Sequence, residues 1–184
     1  HVDLAVGTRG HRLDREAAKI PPGSGGLVSI NYLQGRFFPP APDVRGLFIG
    51  HSLAHGRVHF YRAVLESIAY DHVIAKSIIR GLLPDVAMGR VTAIGSGARS
   101  ELWMRIKADA LQLPYDSLHR SDLSTLGSAI LAGCAAGIFR DVGETAARFA
   151  KRSVNVEPVP GADEKYAKFV RVYGALFSAL KDSY

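Results

Sequence analysis

The sequence predicts an α/β domain, a sheet covered by helices, on three observations. Short runs with strand character alternate with longer stretches whose apolar residues recur at helical spacing. Strands that alternate with helices in this way are those of α/β layers. The third observation is the segment Arg90–Trp103, RVTAIGSGARSELW, where an apolar, β-prone run meets two glycines and then a helical pattern. Strand, small-residue turn and helix is the order by which α/β proteins bring backbone close to a phosphate or a nucleotide.

Taken in order, RLDREAAK (12–19) predicts a short helix stopped by Pro21 and Pro22, since proline cannot continue one. PPGSGG is a turn, LVSINYL (27–33) alternates as a strand does, the proline-rich QGRFFPPAPDVRG (34–46) is loop, and GLFIG (46–50) is a short apolar strand. A long helix is predicted over about 55–80, with Val58, Tyr61, Leu65, Ile68, Ala69 and Ile78 on one stripe. Gly81 and Pro84 end it. A strand over 91–95 follows, then a helix from Ser100 or Glu101 with Ser100 as N-cap and Leu102, Trp103, Ile106, Ala110 and Leu111 on its inner face. PYDSL (114–118) is another strand, and LSTLGSAILAGCAAGIF (123–139) is a small-residue helix suited to tight packing. DVGETAARFAKR (141–152) places Asp141 and Glu144 in capping-box positions. VNVEPVP is extended, and a closing helix over about 163–181 turns Tyr166, Phe169, Val170, Tyr173, Leu176, Phe177 and Leu180 inward.

The bulk properties narrow the function classes. A chain of 184 residues suits one domain and buries roughly 70% of its unfolded surface, so it needs neither disulfide nor metal staple. The single cysteine, Cys134, lies in an apolar run and is expected to be buried and inert. With one cysteine no internal disulfide forms, which agrees with a cytoplasmic setting. No stretch approaches the roughly 20 apolar residues of a membrane span, and the N-terminus lacks the apolar core of a secretory signal. A net charge of +6 raises a nucleic-acid partner. The basic residues, however, form no block: Arg62 stands near Glu66, and Asp163 and Glu164 precede Lys165 and Lys168. Neither nucleic acid nor membrane is therefore expected as a partner, and the charge reads as a solvated surface.

The glycine turn itself leaves alternatives. A P-loop is excluded, because no lysine sits where it would reach a phosphate. The dinucleotide fingerprint is nearer, with Gly95, Gly97, Ser100 in place of the third glycine, and Asp116 about twenty residues on, where a ribose-binding acid would sit. The plain reading is a tight turn needing positive φ at Gly95 or Gly97.

Three blocks, in order and at matching separations, resemble the C-terminal domain of the FGGY carbohydrate kinases. GLFIGHSLAHGRVHFYRAVLE (46–66) resembles that family's second signature, with His51 in a place usually held by an aliphatic residue. IGSGARSELWMRIKADALQLP (94–114) is similar to its GGGARSxxWxQxxADxLxxP segment, with Ser96 replacing the middle glycine. STLGSAILAGCAAGIF (124–139) resembles GALGAALLAAxAAGxF. The likeness runs from about Ala18 to Phe139.

The resemblance implies an actin-like ATPase (ribonuclease H-like) fold, a mixed sheet flanked by helices. It makes 1–22 a short helical lead-in and 23–184 the FGGY C-terminal domain with extra C-terminal helices. It implies ATP and Mg²⁺ as cofactors, bound largely through parts outside this chain, a pentulose or polyol substrate, a missing N-terminal FGGY domain and a homodimer. Gly95, Ser96, Gly97 and Ala98 would then form a wall facing the adenosine part of ATP, with Glu101 reaching it one turn into the helix and Gly127 facing the same cleft. Small side chains suit that role, because a flat base can lie on bare backbone while helix-start N–H groups offer donors. Arg36, in the loop, is a candidate for closing the cleft.

The family's catalytic Asp lies in a GxxD stretch. Asp3 in VDLAVGTRG is the tempting match, with GTRG as a phosphate-touching turn, but Gly7 lies far closer to Gly35 than the family's separation. A general base must reach the attacking hydroxyl, and no other residue offers itself. The chain is therefore expected to be part of a longer kinase, to bind nucleotide weakly and not to phosphorylate sugar alone. His51, His55 and His59 share a four-residue spacing, but His51 precedes the predicted helix and no acid or cysteine completes a shell, so no metal is expected. Arg62 and Glu66 are expected to pair along the helix, and Trp103 to be core. Two other readings remain open: a Rossmann-type domain resting on Gly95, Gly97 and Asp116, and an actin-like interaction module without catalysis.

Overall fold

The computed structural model describes residues 6–36, 40–118, 122–149 and 151–181. In chain order the elements are α1 (Val6–Ala17), β1 (Val28–Ile30), β2 (Leu47–Ile49), α2 (Arg57–Leu82), β3 (Val91–Ala93), α3 (Glu101–Leu111), β4 (Tyr115–Leu118), α4 (Leu123–Ala135), α5 (Val142–Phe149), β5 (Arg152–Val156) and α6 (Glu164–Lys181). No helix among the described residues is long and apolar enough to cross a membrane.

The strands form two sheets. β1 and β2 pair antiparallel, with Ser29 opposite Phe48. β3 runs parallel to β4, with Thr92 opposite Asp116, and β5 pairs antiparallel on the far side of β4. The second sheet is thus mixed, as expected, but its third strand was foreseen only as extended chain. A strand whose partner is distant in sequence leaves no local mark beyond β propensity.

α2 is the spine. Its 26 residues, about 39 Å at 1.5 Å each, pack against α1, α3, α6 and β1. Leu65, Ala69 and Tyr70 meet Val28 and Ile30 of β1, Met104, Ile106 and Leu111 of α3, and Tyr166 and Tyr173 of α6 in one buried core. α6 is therefore built into the core. The Tyr70 ring lies 6.0 Å from that of Tyr173 at 66°, the edge-to-face arrangement aromatic pairs favour.

Three sequence expectations change. The 12–19 helix starts earlier and stops earlier, at Ala17. The 123–139 helix ends at Ala135 and is not tightly packed: among its described residues Ile130 and Gly133 are buried, Leu131 is exposed, and Cys134 is only half-buried. Its small residues instead admit the Phe139 ring, which lies within 2.5 Å of where a Cβ on Gly133 would stand. Most consequentially, Arg62 and Glu66 do pair, at 2.7 Å, but inside the protein, with side-chain exposures of 5% and 1%. Glu66 also accepts from Gly23 N–H, the Ser24 hydroxyl and the Tyr70 hydroxyl, while Arg62 Nη1 donates to the Ala17 carbonyl at 2.8 Å. Burial pushes the Glu66 carboxyl up, and Arg62, Ser24 and Gly23 pull it back. This clasp joins the end of α1, the turn before β1 and the middle of α2.

A second buried charge lies against an aromatic ring and makes no ion pair among the described residues. Lys107 of α3 is buried, its ammonium 3.6 Å from the centre of the Trp103 ring, and burial pushes it down to about 8. Below that pH the amine is charged in both folded and unfolded chain, and the fold bears the full desolvation cost. As pH rises from about 8 towards the ordinary lysine value of 10.5, the folded amine sheds its proton first and the cost is relieved. Lys107→Met is therefore expected to stabilise the chain at pH 7 by about 1 kcal/mol, after discounting for residual solvent and the ring contact. Urea unfolding at a series of pH values checks it: the gain should shrink as pH passes from 8 to 10.

Candidate functional site

The glycine turn lies where β3 ends and α3 begins. Ile94, 61% exposed, leaves the strand, and Gly95 takes φ 82° and ψ −173°, a conformation in which a side chain would be strained. A single 3₁₀ turn follows over Ser96–Arg99, closed by Ala98 N–H to the Gly95 carbonyl and Ser100 N–H to the Gly97 carbonyl, both 3.2 Å. Ser100 is the N-cap foreseen for α3, its hydroxyl accepting Trp103 N–H at 3.1 Å.

The four wall candidates divide into two faces. Gly95 and Ser96 are exposed, and among the described residues no atom beyond the chain neighbours lies within 4 Å of where a Cβ on Gly95 would be. Gly97 looks inward: a Cβ there would stand 2.3 Å from Trp103 Cζ3. Ala98 is half-buried against the core. Trp103, expected as core, is half-buried with its Nε1 donating to the Leu65 carbonyl at 3.1 Å. It props the turn on α2, a role sequence reasoning missed because Gly97 lies in the turn and Trp103 in the helix, so no single period relates them. Glu101 stands exposed in the first turn of α3, where a carboxylate suits the helix dipole.

Gly127 is exposed on α4, with nothing from the other described elements within 4 Å of a Cβ placed there. Arg36 is buried and engaged. Its Nη2 donates to Asp71 at 2.7 Å, its guanidinium lies 4.1 Å from the centre of the Phe177 ring, and Tyr32 and Tyr173 extend the network through Asp71. To close over a ligand it would have to leave both partners. Asp3 lies outside the described residues.

Asp116 is not where a ribose-binding acid would sit. It is the second residue of β4, 1% exposed, with Oδ1 held by Arg90 at 2.7 Å, so the dinucleotide reading loses its acid. The three histidines do cluster, with ring separations of 6.0 Å (His51–His55) and 5.3 Å (His55–His59), although both His51 and His55 precede α2. The nitrogens of His55 and His59 serve the backbone. His55 Nδ1 accepts Ser52 N–H at 2.9 Å and its Nε2 faces the Gly25 carbonyl, which fixes the proton on Nε2, and His59 Nδ1 accepts Gly56 N–H. Among the described residues no three His, Cys, Asp or Glu side chains are arranged to hold a metal ion.

A family model described as "FGGY family of carbohydrate kinases, C-terminal domain" matches residues 8–136. The chain is similar to a xylulose kinase of Staphylococcus epidermidis, 31% identical over 166 residues, which covers 90% of this chain and 33% of that protein. It is similar to a gluconokinase of Bacillus subtilis, 33% identical over 126 residues, covering 68% and 24%. Its structure is similar to that of xylulose kinase from Rhodospirillum rubrum, with a TM-score of 0.78, 31% identity, and coverage of 96% of this chain and 35% of the other. The chain thus spans about a third of the length of the relatives it matches.

Proposed function

Because the chain belongs to the FGGY family of carbohydrate kinases and carries its C-terminal domain in an actin-like ATPase fold, we propose that it is the nucleotide-side domain of an ATP-dependent kinase for a pentulose-type sugar or polyol. The observation that carries this reading is the bare, exposed backbone at Gly95 and Ser96, at the carboxyl end of a strand and the start of a helix. That is the end of a strand at which α/β proteins place ligands.

ATP, when bound, supplies the phosphoryl group, and Mg²⁺ offsets the charge that builds on it. This chain's residues bind and orient. Gly95 and Ser96 offer a flat main-chain surface to adenosine, Ile94 an apolar edge beside it, and the uncapped N–H groups of the first turn of α3 a donor set. Glu101, exposed in the first turn of α3, would accept from a ribose hydroxyl. Mg²⁺ would be held largely through parts of the kinase outside this chain, where it would offset phosphate charge. On this reading the chain alone binds adenine nucleotide weakly and does not phosphorylate a sugar.

Thermal unfolding of the 184-residue chain tests the reading. Mg·ADP at millimolar concentration should raise the unfolding midpoint, NAD should not, and Ser96→Phe, at an exposed position without positive φ, should diminish the ADP shift while leaving the fold intact. A shift with NAD alone would favour the dinucleotide reading, and no shift with either would favour a module without nucleotide. Turnover of xylulose with ATP by this chain would overturn its incompleteness.

A further inference from the structure

Asp14 of α1 is separated from Ser100 by 86 residues, yet the Ser100 hydroxyl donates to Asp14 Oδ2 at 2.7 Å. The other carboxylate oxygen accepts from the Tyr61 hydroxyl of α2 at 2.6 Å. Burial, and then this hydrogen bond, push the Tyr61 phenol above its usual range, so it remains a donor. A carboxylate only accepts. The Ser100 proton is therefore committed to Asp14, which leaves an Oγ lone pair for Trp103 N–H and fixes a hydroxyl that would otherwise rotate. Trp103 in turn lies against Gly97 and is tied to the Leu65 carbonyl. α1 is itself anchored at its end, through the Ala17 carbonyl and Arg62.

We propose that Asp14 is a positioning residue for the nucleotide-facing turn. It touches no nucleotide; it sets the pose of residues Gly95–Ser100 by fixing the Ser100 hydroxyl, so that α1 and the turn move as one piece. The proposal rests on the reading of that turn as the adenosine wall, and its test separates the two. Trp103 is the chain's one tryptophan, so its fluorescence reports on the turn directly, without ligand.

In the 184-residue chain, Asp14→Ala is expected to raise acrylamide quenching of Trp103 about twofold and to weaken Mg·ADP binding about three- to tenfold. Asp14→Asn keeps an acceptor for Ser100 and should return both values most of the way to the parent's. Ser100→Ala should reproduce Asp14→Ala, and the double variant should be no worse than either single, as expected of two groups acting through one contact. Arg12→Ala, on the same helix but in solvent, should change neither. Parent-like quenching and affinity in a folded Asp14→Ala chain, or additive losses in the double variant, would overturn the proposal. Should Asp14→Ala fail to fold, Asp14→Asn and Ser100→Ala carry the same comparison. Should the parent not bind ADP, the quenching series still decides the tie, and it is the nucleotide reading that falls.

Discussion

Glu66→Ala is expected to lower the stability of the chain by about 3–5 kcal/mol, the loss typical of breaking a buried ion pair from one side. The reason lies in what the substitution leaves behind. Arg62 remains 5% exposed with its charge uncompensated, and Gly23 N–H and the Ser24 and Tyr70 hydroxyls lose the oxygens they donate to. For a chain of this size the unfolding midpoint should fall by roughly 10 °C. Glu66→Gln keeps the shape but removes the charge, and should lie between Ala and parent. The diagnostic comparison is the double replacement Arg62→Met with Glu66→Leu, which removes both charges and should be more stable than Glu66→Ala alone. Chemical unfolding of the four chains measures this. A Glu66→Ala chain within 1 kcal/mol of the parent by that measure would mean the clasp contributes little.

Gly97→Val carries the second large effect. Its Cβ would stand 2.3 Å from Trp103 Cζ3 and 2.9 Å from Cε3, so the indole must leave its place or the turn must move. Overpacking of this kind costs about 1–3 kcal/mol. Displacing the indole also breaks its hydrogen bond to the Leu65 carbonyl, the contact that holds the turn to α2. The expected result is a red-shifted Trp103 emission and a loss of Mg·ADP affinity of roughly tenfold or more, since a small misplacement of a binding surface is felt strongly. Ser96→Phe differs in kind: Ser96 is exposed and does not have a positive φ, so the substitution should leave the Trp103 spectrum unchanged while obstructing nucleotide. Identical spectra for the two variants would contradict the division of this turn into an outer and an inner face.

Much of the fold was legible because it is written in local patterns. The long helix, the closing helix with its inward tyrosines, the Ser100 cap and the strand–turn–helix at 91–101 all follow from spacing and capping chemistry that a few neighbouring residues settle. The family was legible in three ordered blocks, which the match over residues 8–136 bears out. Within the candidate site, Gly95 and Ser96 stand exposed as a wall requires, but the partition of the turn was hidden. Nothing in GSGA distinguishes a glycine that bares backbone from one that admits a tryptophan. Arg62 and Glu66 show the same limit: at i,i+4 they read as a solvated pair, and the helix carrying them cannot say that α1 and the Gly23–Ser24 turn will cover that face.

The sequence by itself determined most of the helices and strands, though not β5 or every helix end, and which family the chain belongs to, since each depends on residues close together or on blocks in fixed order. Only the tertiary structure decided that Glu66 is a buried hub, that Asp116 is a strand-bound ion-pair partner, and that Asp14 reaches Ser100. Each of these is a contact between residues dozens of positions apart. Burial, the property that turns an ordinary surface charge into a structural one, belongs to the assembled neighbours and to no single stretch of chain.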